Sequence, residues 1–182
     1  QFELRELEDL GGQASVVDAL ATQGQAYFEL TEDMFDAFYP GQYDRRIQNV
    51  RIAFSGLARA GLNPHARLLQ LANTRCMTRE RELARGARLR KNQHALQSVM
   101  IGKPELDTET LHCAEGQLRR FQNTGVHSRW HLVLPSVVEL LQPQAANARN
   151  KAWRERARRN FETIKPHLGD IEFEVSFSGR WS

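Results

Sequence analysis

Apolar residues recur at every second position in the two segments that most constrain how this chain can fold. DIEFEVSFSG, residues 170–179, has four apolar side chains separated by polar ones, and VHSRWHLVLP, residues 126–135, alternates from Trp130 onward. Successive side chains of a β-strand point to opposite faces, so each segment fits a strand with one buried face and one face in water. Both segments therefore predict strands of an antiparallel sheet.

Weaker alternation predicts further strands earlier in the chain, with turns at Gly56 and residues 61–64. For residues 8–24, EDLGGQASVVDALATQG, the sequence is compatible with one helical turn or with a loop. The predicted fold class is mainly β, an antiparallel β-sandwich-like domain. Its additional strand candidates are FEL at 2–4, AYFEL at 26–30, RRIQNVRIAFSG at 45–56 and ARLLQLAN at 66–73.

A short helical turn near 31–38 is predicted from the sequence TEDMFDAFYPG. Thr31 can cap this turn, the two acidic residues that follow suit the positive end of a helix dipole, and the Pro-Gly pair stops the helix. We expect Phe35, Phe38 and Tyr39 to pack this turn against the sheet.

A basic helix near 145–164 is predicted between the two best strand candidates. Trp153, Ala157, Phe161 and Ile164 are spaced by four, four and three residues, which places them on one helix face. This Trp–Phe stripe is expected to pack on the sheet. The remaining faces carry the basic residues Arg149, Lys151, Arg154, Arg156, Arg158 and Arg159.

The overall charge argues against nucleic acid as the partner. The formal charge is only +3, and glutamates interrupt both arginine clusters, at 75–91 and at 149–159. The first cluster also lacks the interleaved aromatic residues of a single-strand binder. Both clusters are interpreted first as a solvated face. An acidic protein partner is the second hypothesis, and its candidate contact residues are Arg149, Arg154, Arg158 and Arg159.

The common catalytic and phosphate-binding motifs, such as GxSxG, GxGxxG, HExxH and CxxC, do not occur in the sequence. The segment His112-Cys113-Ala114-Glu115 is interpreted as a loop, not as a zinc or nucleophile site. His127 and His131 fall in a predicted strand, where about 13 Å would separate them, too far for one metal ion. They are interpreted as solvent-facing residues. No catalytic, cofactor or metal residue is predicted.

Two further features, a pair of glutamates and two cysteines, carry only weak signals of a reactive site. Glu172 and Glu174 lie two apart on a predicted strand, which is what any exposed strand face can show. A hydrolase using them, or a Cys–His pair, is the least favoured hypothesis. Cys76 and Cys113 are the only cysteines, and they are expected to be two free, partly buried thiols, although the sequence leaves their pairing open.

The length of 182 residues suits one domain, 1–182. The chain begins with Gln, so we expect it to be a fragment of a longer protein. It contains no run of about twenty apolar residues, as a membrane helix requires, and no recognisable targeting signal.

Residues 27–56 resemble the C-terminal region of the TcA subunits of bacterial Tc toxin complexes. In that family, a strand ending in F-E-L precedes an LF-D-YPG-Y-RRI passage. The corresponding residues here are Phe28-Glu29-Leu30, Met34-Phe35-Asp36, Tyr39-Pro40-Gly41, Tyr43 and Arg45-Arg46-Ile47.

A second passage, residues 119–135, is similar to the family's PFE-TG-SSW-L-LP pattern, with Asn123 as a departure. DIEFEVSFSG stands in the place of the family's final strand, and the opening FELREL fits the strand that follows the family's stalk helices. The positions that match in the second passage are Phe121, Thr124, Gly125, Ser128, Trp130, Leu132, Leu134 and Pro135.

This resemblance implies the TcB-binding domain, a β-sandwich-like module at the end of each protomer of a pentamer. It implies binding to the β-propeller of the TcB–TcC cocoon and help in opening that cocoon for toxin translocation. It also implies a non-enzymatic component of a secreted or cell-surface insecticidal toxin, without membrane contact by this domain. Two segments depart from the pattern: the basic helix at 143–166 and the arginine-rich stretch from Arg75 to Glu115.

Within this resemblance, a set of residues is predicted to be scaffold and not contact surface. Arg45 and Arg46 are expected to pair with carboxylates such as Asp36 or Asp44. The full set of predicted anchors is Phe35, Tyr39, Pro40, Gly41, Tyr43, Arg45, Arg46 and Trp130. The alternative function is a stand-alone β-sandwich module that binds a glycan or a receptor, with Trp153 and Trp181 as candidate platforms.

Overall fold

Eight strands and four helices follow one another along the part of the chain that the structure describes. This structure is a computed structural model, and it describes residues 1–61, 66–76, 89–92, 97–101, 121–134, 137–138, 140 and 148–181. The elements are β1 (Phe2–Glu3), α1 (Val16–Gln23), β2 (Gln25–Leu30), α2 (Glu32–Asp36), β3 (Tyr43–Phe54), α3 (Ser55–Arg59), β4 (Ala66–Cys76), β5 (Leu89–Asn92), β6 (Gln97–Ile101), β7 (His127–Val133), α4 (Ala148–Ile164) and β8 (Ile171–Arg180), with a 3-10 turn at Lys165–His167 before β8.

The strands form two antiparallel sheets. The smaller sheet has the order β1-β8-β3, and the larger has the order β2-β7-β4-β5, with β6 also paired to β4. β5 and β6 pair with different parts of β4, at 73–76 and at 66–70. The sequence-based prediction of a mainly β, antiparallel fold is confirmed, and every strand candidate overlaps a strand. Leu4 lies just beyond β1, and Ser55 and Gly56 begin α3, where a turn was predicted at Gly56.

The two sheets face each other through aromatic side chains. Phe173 of β8 lies 5.3 Å, ring centroid to ring centroid, from both Phe28 of β2 and Trp130 of β7. All three side chains are fully buried. Trp130 also contacts Phe121 at 4.9 Å in an edge-to-face arrangement. The alternation predicted from sequence therefore provides the inner faces of a sandwich-like core.

Helix α2 packs at one end of this core. Phe35 is buried, and its ring lies 5.0 Å from that of Phe177, which shares a strand face with Phe173. Phe38, in contrast, is 78 % exposed, and Tyr39 contacts Phe177 in an edge-to-face arrangement while remaining 46 % exposed. The expectation that all three aromatic residues pack on the sheet is therefore wrong for Phe38, because the helix ends at Asp36 and the chain turns away.

Residues 8–24 contain a helix of eight residues, longer than the single turn that the sequence suggested. The Ser15 hydroxyl caps α1 by accepting a hydrogen bond from the Asp18 backbone N–H at 3.2 Å. The helix buries Val16, Ala19 and Leu20. This apolar face covers part of the core beside β2.

Helix α4 is present where the basic helix was predicted, and it contacts the core through its C-terminal half. Phe161 is buried, and Ala157 and Ile164 pack against the core. Trp153 is 38 % exposed, so the predicted stripe does not pack along its whole length. Most other described side chains of α4 face solvent.

Candidate docking surface

The fully buried guanidinium of Arg45 holds the turn between α2 and β3 in place from the core side. Its Nη1 donates to Glu32 Oε2 at 2.7 Å, and its Nη2 donates to Asp36 Oδ1 at 2.8 Å. Further hydrogen bonds reach the backbone carbonyl of Tyr39 at 2.7 Å and the side chain of Gln42 at 3.2 Å. One side chain therefore fastens both ends of the turn.

The resulting turn exposes aromatic side chains. Gly41 has a φ of 82°, a left-handed conformation that glycine adopts without strain, and it follows the exposed Pro40. Strand β8 runs alongside, because Tyr43 pairs with Arg180 and a Cβ on Gly179 would lie 2.4 Å from the Gln42 side chain. Trp181, which is 60 % exposed, follows that strand directly.

Asp44 is a buried carboxylate that three arginines contact. It accepts from Arg46 Nη2 at 2.8 Å and from Arg75 Nη2 at 2.6 Å, and Arg180 Nε lies 3.3 Å away. These arginines come from β3, β4 and β8, so both sheets contribute. The predicted pairings of Arg46 with Asp44 and of Arg45 with Asp36 are confirmed.

A bulge in β3 explains how neighbouring residues are both buried. The register with β8 shifts between Tyr43 and Arg46, which inserts one extra residue. Asp44 takes a φ of 49°, in the left-handed region that aspartate tolerates better than most residues. Asp44 and Arg45 therefore both point inward, where strict alternation would expose one of them.

The arginines decide the ionisation of Asp44. Burial works to raise the pKa of this carboxyl, but the hydrogen bonds and charges of Arg46 and Arg75 outweigh burial and place the pKa below its usual value. The same contact raises the pKa of Arg46. The cluster is therefore ionic at neutral pH, and of its arginines Arg180 is the most exposed, at 62 %.

A buried polar network fixes residues 121–130 against β4. Gln70 Nε2 donates to Thr124 Oγ1 at 3.0 Å, and Gly125 N donates to Asn73 Oδ1 at 3.0 Å. Gly125 has no space for a side chain, because a Cβ would lie 2.0 Å from the Thr74 carbonyl oxygen. Alanine at this position would push β4 away.

The indole of Trp130 belongs to the same region. Its Nε1 donates to Ser128 Oγ at 2.7 Å, and that hydroxyl donates to the Val126 carbonyl at 2.9 Å. The buried tryptophan therefore has a polar partner, as buried indoles usually do. Its ring remains available for the aromatic core.

The outer face of β2 and β7 carries the two histidines. His127 Nε2 lies 3.2 Å from Glu29 Oε1, and the His131 ring stacks on Tyr27 at 4.1 Å between centroids. Burial lowers the pKa of His131. Both side chains are half-buried, so the interpretation that they simply face solvent needs correction. Each contacts a side chain of the adjacent strand β2 in the same sheet.

Other candidate chemistry is dispersed in the described part of the chain. The described residues include no group of three or more metal-ligating side chains that could hold an ion. Glu174 pairs with Arg51 at 3.6 Å, and Glu172 accepts a hydrogen bond from Gln1. Cys76 is buried, whereas Cys113 and the whole segment 112–115 lie outside the described residues.

A surface cleft of about 290 Å³ lies between α3 and the turn before β8. Glycine, proline and histidine residues line it together with the Arg59–Asp170 ion pair. No Phe, Tyr or Trp side chain is among its lining residues. This cleft therefore lacks the aromatic platform that the glycan-binding alternative requires.

Comparison with known protein families identifies the chain's family. The model of the Tc toxin complex TcA C-terminal TcB-binding domain matches residues 4–149. The chain belongs to this TcB-binding domain family. Searches of curated proteins and of solved structures found no significant match.

The matched range of this TcB-binding domain contains two of the passages on which the resemblance was based, 27–56 and 119–135, whereas DIEFEVSFSG at 170–179 follows the match and FELREL begins before it. Arg45, Trp130 and the 121–125 segment all lie within it, as does every described strand except β1 and β8. β1 begins before the match, and most of α4 and the whole of β8 follow it. The fold of this domain nevertheless needs β8, which is the middle strand of the smaller sheet.

The four arginines predicted as contact residues all lie on α4, in different settings. Arg154 Nη2 donates to the Leu140 carbonyl at 3.2 Å, which fastens the helix to the domain. Arg158 and Arg159 are exposed, and the side chain of Arg149 lies outside the described ones. Their role in binding TcB stays a prediction.

The predicted anchors divide into three groups by burial. Phe35, Arg45 and Trp130 are buried, which fits a scaffold role. Tyr39 and Pro40 are exposed, and the remaining three are half-buried: Gly41, Tyr43 and Arg46. Trp181 was predicted only as a platform of the glycan-binding alternative, and Phe38 and Tyr39 were not predicted as contact residues. Their signal in the sequence is the run of aromatic residues beside a turn that glycine and proline favour.

Proposed function

We propose that this chain is a docking module that binds the β-propeller of a TcB–TcC cocoon and helps to open the cocoon for toxin translocation. The observation that carries the proposal is the family match, which covers residues 4–149. The two-sheet architecture supports it, because a rigid sandwich can present loops to a partner without a catalytic centre.

The proposal includes a non-catalytic role and action within a longer TcA chain. Residues 1–182 would then form one domain, repeated in an oligomer that the family resemblance implies is pentameric, in a secreted bacterial toxin. One hydrophobic cluster that unites side chains of both sheets supports the single domain. Within the described residues, no helix is both long enough and apolar enough to cross a bilayer.

Binding kinetics test the proposal directly. A TcB–TcC cocoon is immobilised, and the chain is passed over it at modest salt. We expect saturable binding through an interface of ordinary size, on the order of 1,000–2,000 Å². A propeller-free TcC preparation is the control, and it should not bind. Absence of binding to the cocoon, with the chain folded by circular dichroism, contradicts the proposal.

Opening of the cocoon needs a separate measurement. Cargo protection from protease is followed in the cocoon alone and after addition of the assembled TcA subunit. We expect cargo to leave the cocoon only when the assembled subunit carries this domain. Unchanged cargo protection despite tight binding would limit the domain to docking.

A further inference from the structure

We propose that the contact with TcB is centred on an aromatic–arginine surface, defined here as Phe38, Tyr39, Arg180 and Trp181. This inference rests on the proposed function and deepens it by naming the surface and the chemistry that the partner must present. The occupant is the TcB-type propeller, through an apolar pocket with a rim of carboxylates.

Among the described side chains, large apolar rings are exposed to water at this surface. Phe38 and Trp181 are 78 % and 60 % exposed, more than the other large hydrophobic residues that the structure shows at the surface. Isolated exposed apolar residues are common, but here the turn and the end of β8 lie side by side. The Tyr43–Arg180 pair and the contact of Gly179 with Gln42 establish this proximity.

The turn that carries Phe38 and Tyr39 is anchored to the core by Arg45. Arg45 reaches acceptors of α2, of Tyr39 and of Gln42 from within the core. The Tyr39 ring also packs on Phe177 at 5.4 Å. A preordered surface loses little conformational entropy on binding, so its contacts convert to affinity with smaller cost. Burying an arginine is energetically costly, and its use to hold this turn indicates that the conformation of the turn serves a function.

Charged side chains lie around and beneath this surface. In the ionic cluster beneath the surface, the carboxylate of Asp44 is 1 % exposed, whereas Arg180 and Arg46 are 62 % and 31 % exposed. The Asp44 cluster, with three arginines around one carboxylate, carries +2 (3 − 1), whereas the adjoining group of Arg45 with Glu32 and Asp36 carries −1 (1 − 2). Asp33, on α2, is an exposed carboxylate nearby in sequence, and Asp36 is 28 % exposed but bound to Arg45. The cations at the β8 end therefore fit an acidic rim.

Aromatic and arginine side chains are the residues that dominate binding energy at protein interfaces. The exposed arginines of α4 have little exposed aromatic surface beside them. The exposed aromatic ring on that helix is Trp153, which is less exposed than Trp181. We therefore infer that the aromatic–arginine surface determines how slowly the complex dissociates. The arginines of α4 act on the rate of encounter.

The test compares dissociation rates from an immobilised TcB–TcC cocoon. Phe38→Ala and Trp181→Ala are each expected to increase the dissociation rate by at least about 30-fold, the loss typical of an interface hot spot. Arg180→Gln is expected to weaken binding and to reduce its salt dependence, and it avoids placing a second carboxylate beside Asp44. Leu10→Ala is the matched control, since Leu10 is 52 % exposed in a different turn. It should leave the rate unchanged.

The outcomes separate the two proposals. Binding by the unsubstituted chain together with less than threefold change in both aromatic variants would overturn the surface and leave the docking function intact. No binding by the unsubstituted chain would overturn both. Because Phe38 and Trp181 are exposed, thermal unfolding should be unchanged in both variants, which excludes misfolding as the cause of lost binding.

Discussion

Asp44 of β3 and Arg75 of β4 form an ion pair of 2.6 Å that connects the smaller sheet to the larger one. The carboxylate is buried and the arginine is 17 % exposed. The neighbouring backbone reinforces the connection, because Ile47 N donates to the Thr124 carbonyl at 2.8 Å. At this end of the domain, charge as well as aromatic packing sets how the sheets meet.

Replacing Asp44 with Asn should destabilise the domain at neutral pH. The change leaves three arginines without their carboxylate, and loss of such a partner typically costs about 2–4 kcal/mol. The native pKa lies below the ordinary value of 3.8, so the carboxylate's contribution is complete above that value and is lost as pH falls through the native pKa. Urea unfolding at pH 7, 5 and 3 measures the difference.

The pH dependence gives this prediction its control. The gap in unfolding free energy between the unsubstituted chain and Asp44→Asn should narrow only at the lowest pH. Glu174→Gln removes a solvent-exposed pair with Arg51 at 3.6 Å, and it should change stability by less than about 1 kcal/mol. Equal effects of the two substitutions would contradict the role assigned to Asp44.

Arg45→Met should be among the most damaging single changes in the described chain. The substitution retains much of the side-chain volume but leaves the buried Glu32 carboxylate without its arginine. Breaking a buried pair in this way typically costs about 3–5 kcal/mol. Denaturant unfolding measures the cost, and Arg129→Met is the matched control, because Arg129 is 60 % exposed. A loss below 1 kcal/mol, within a ~0.5 kcal/mol error, would refute the support role.

Two phenylalanines with opposite environments offer a paired test of the core. Phe173→Ala removes a ring that contacts Phe28 and Trp130, and it should cost about 3–5 kcal/mol. Phe38→Ala removes an exposed ring and should alter stability by less than about 0.5 kcal/mol. Thermal unfolding of both variants is the measurement. The reverse order would contradict the sandwich packing.

His131→Phe should remove one component of the stability–pH profile. The native pKa of His131 is lowered by burial, so protonation favours the unfolded chain, and stability declines as pH falls below the ordinary value of 6.5. Phenylalanine can keep the stacking on Tyr27 without taking up a proton. Unfolding free energies at pH 8, 6 and 5 should therefore decline less in the variant. A parallel decline in both proteins would count against this assignment.

The exposed arginines of α4 should influence how fast the chain meets its partner. Arg158→Glu combined with Arg159→Glu reverses two solvent-exposed charges. If TcB presents an acidic surface, association should slow by about tenfold at low salt, and dissociation should change little. Lys151→Gln with Arg156→Gln, on the same helix, should give a smaller decrease. A pure change in dissociation rate would show that α4 lies within the contact itself.

The alternating strands could be predicted from sequence because each carries its own local pattern. Ile171 to Val175 and Trp130 to Leu134 bury their apolar members as expected. The sequence did not distinguish a helix from a loop at α1, because Gly11 and Gly12 lie just before the helix. Its signal was present in Ser15 and Asp18, three residues apart: the Ser15 hydroxyl accepts from the Asp18 backbone N–H and donates to the Asp18 carboxylate at the helix start.

The candidate surface depended on contacts that local patterns do not contain. Arginine is seldom buried, so nothing in the sequence around Arg45 indicated a fully buried guanidinium. Likewise, Arg75 and Arg180 meet Asp44 only because three strands of two sheets converge there. The pairing of Asp44 with Arg46 was predictable because the two residues are neighbours in the chain.

The position of β8 also bears on the order in which the domain can assemble. β8 separates β1 from β3, so neither has its neighbour before residues 171–180 have been made. The β2-β7-β4 ladder uses only residues 25–133 and can pair earlier. During synthesis, Phe28 and Trp130 would therefore lack their contacts with β8 until that strand has been made.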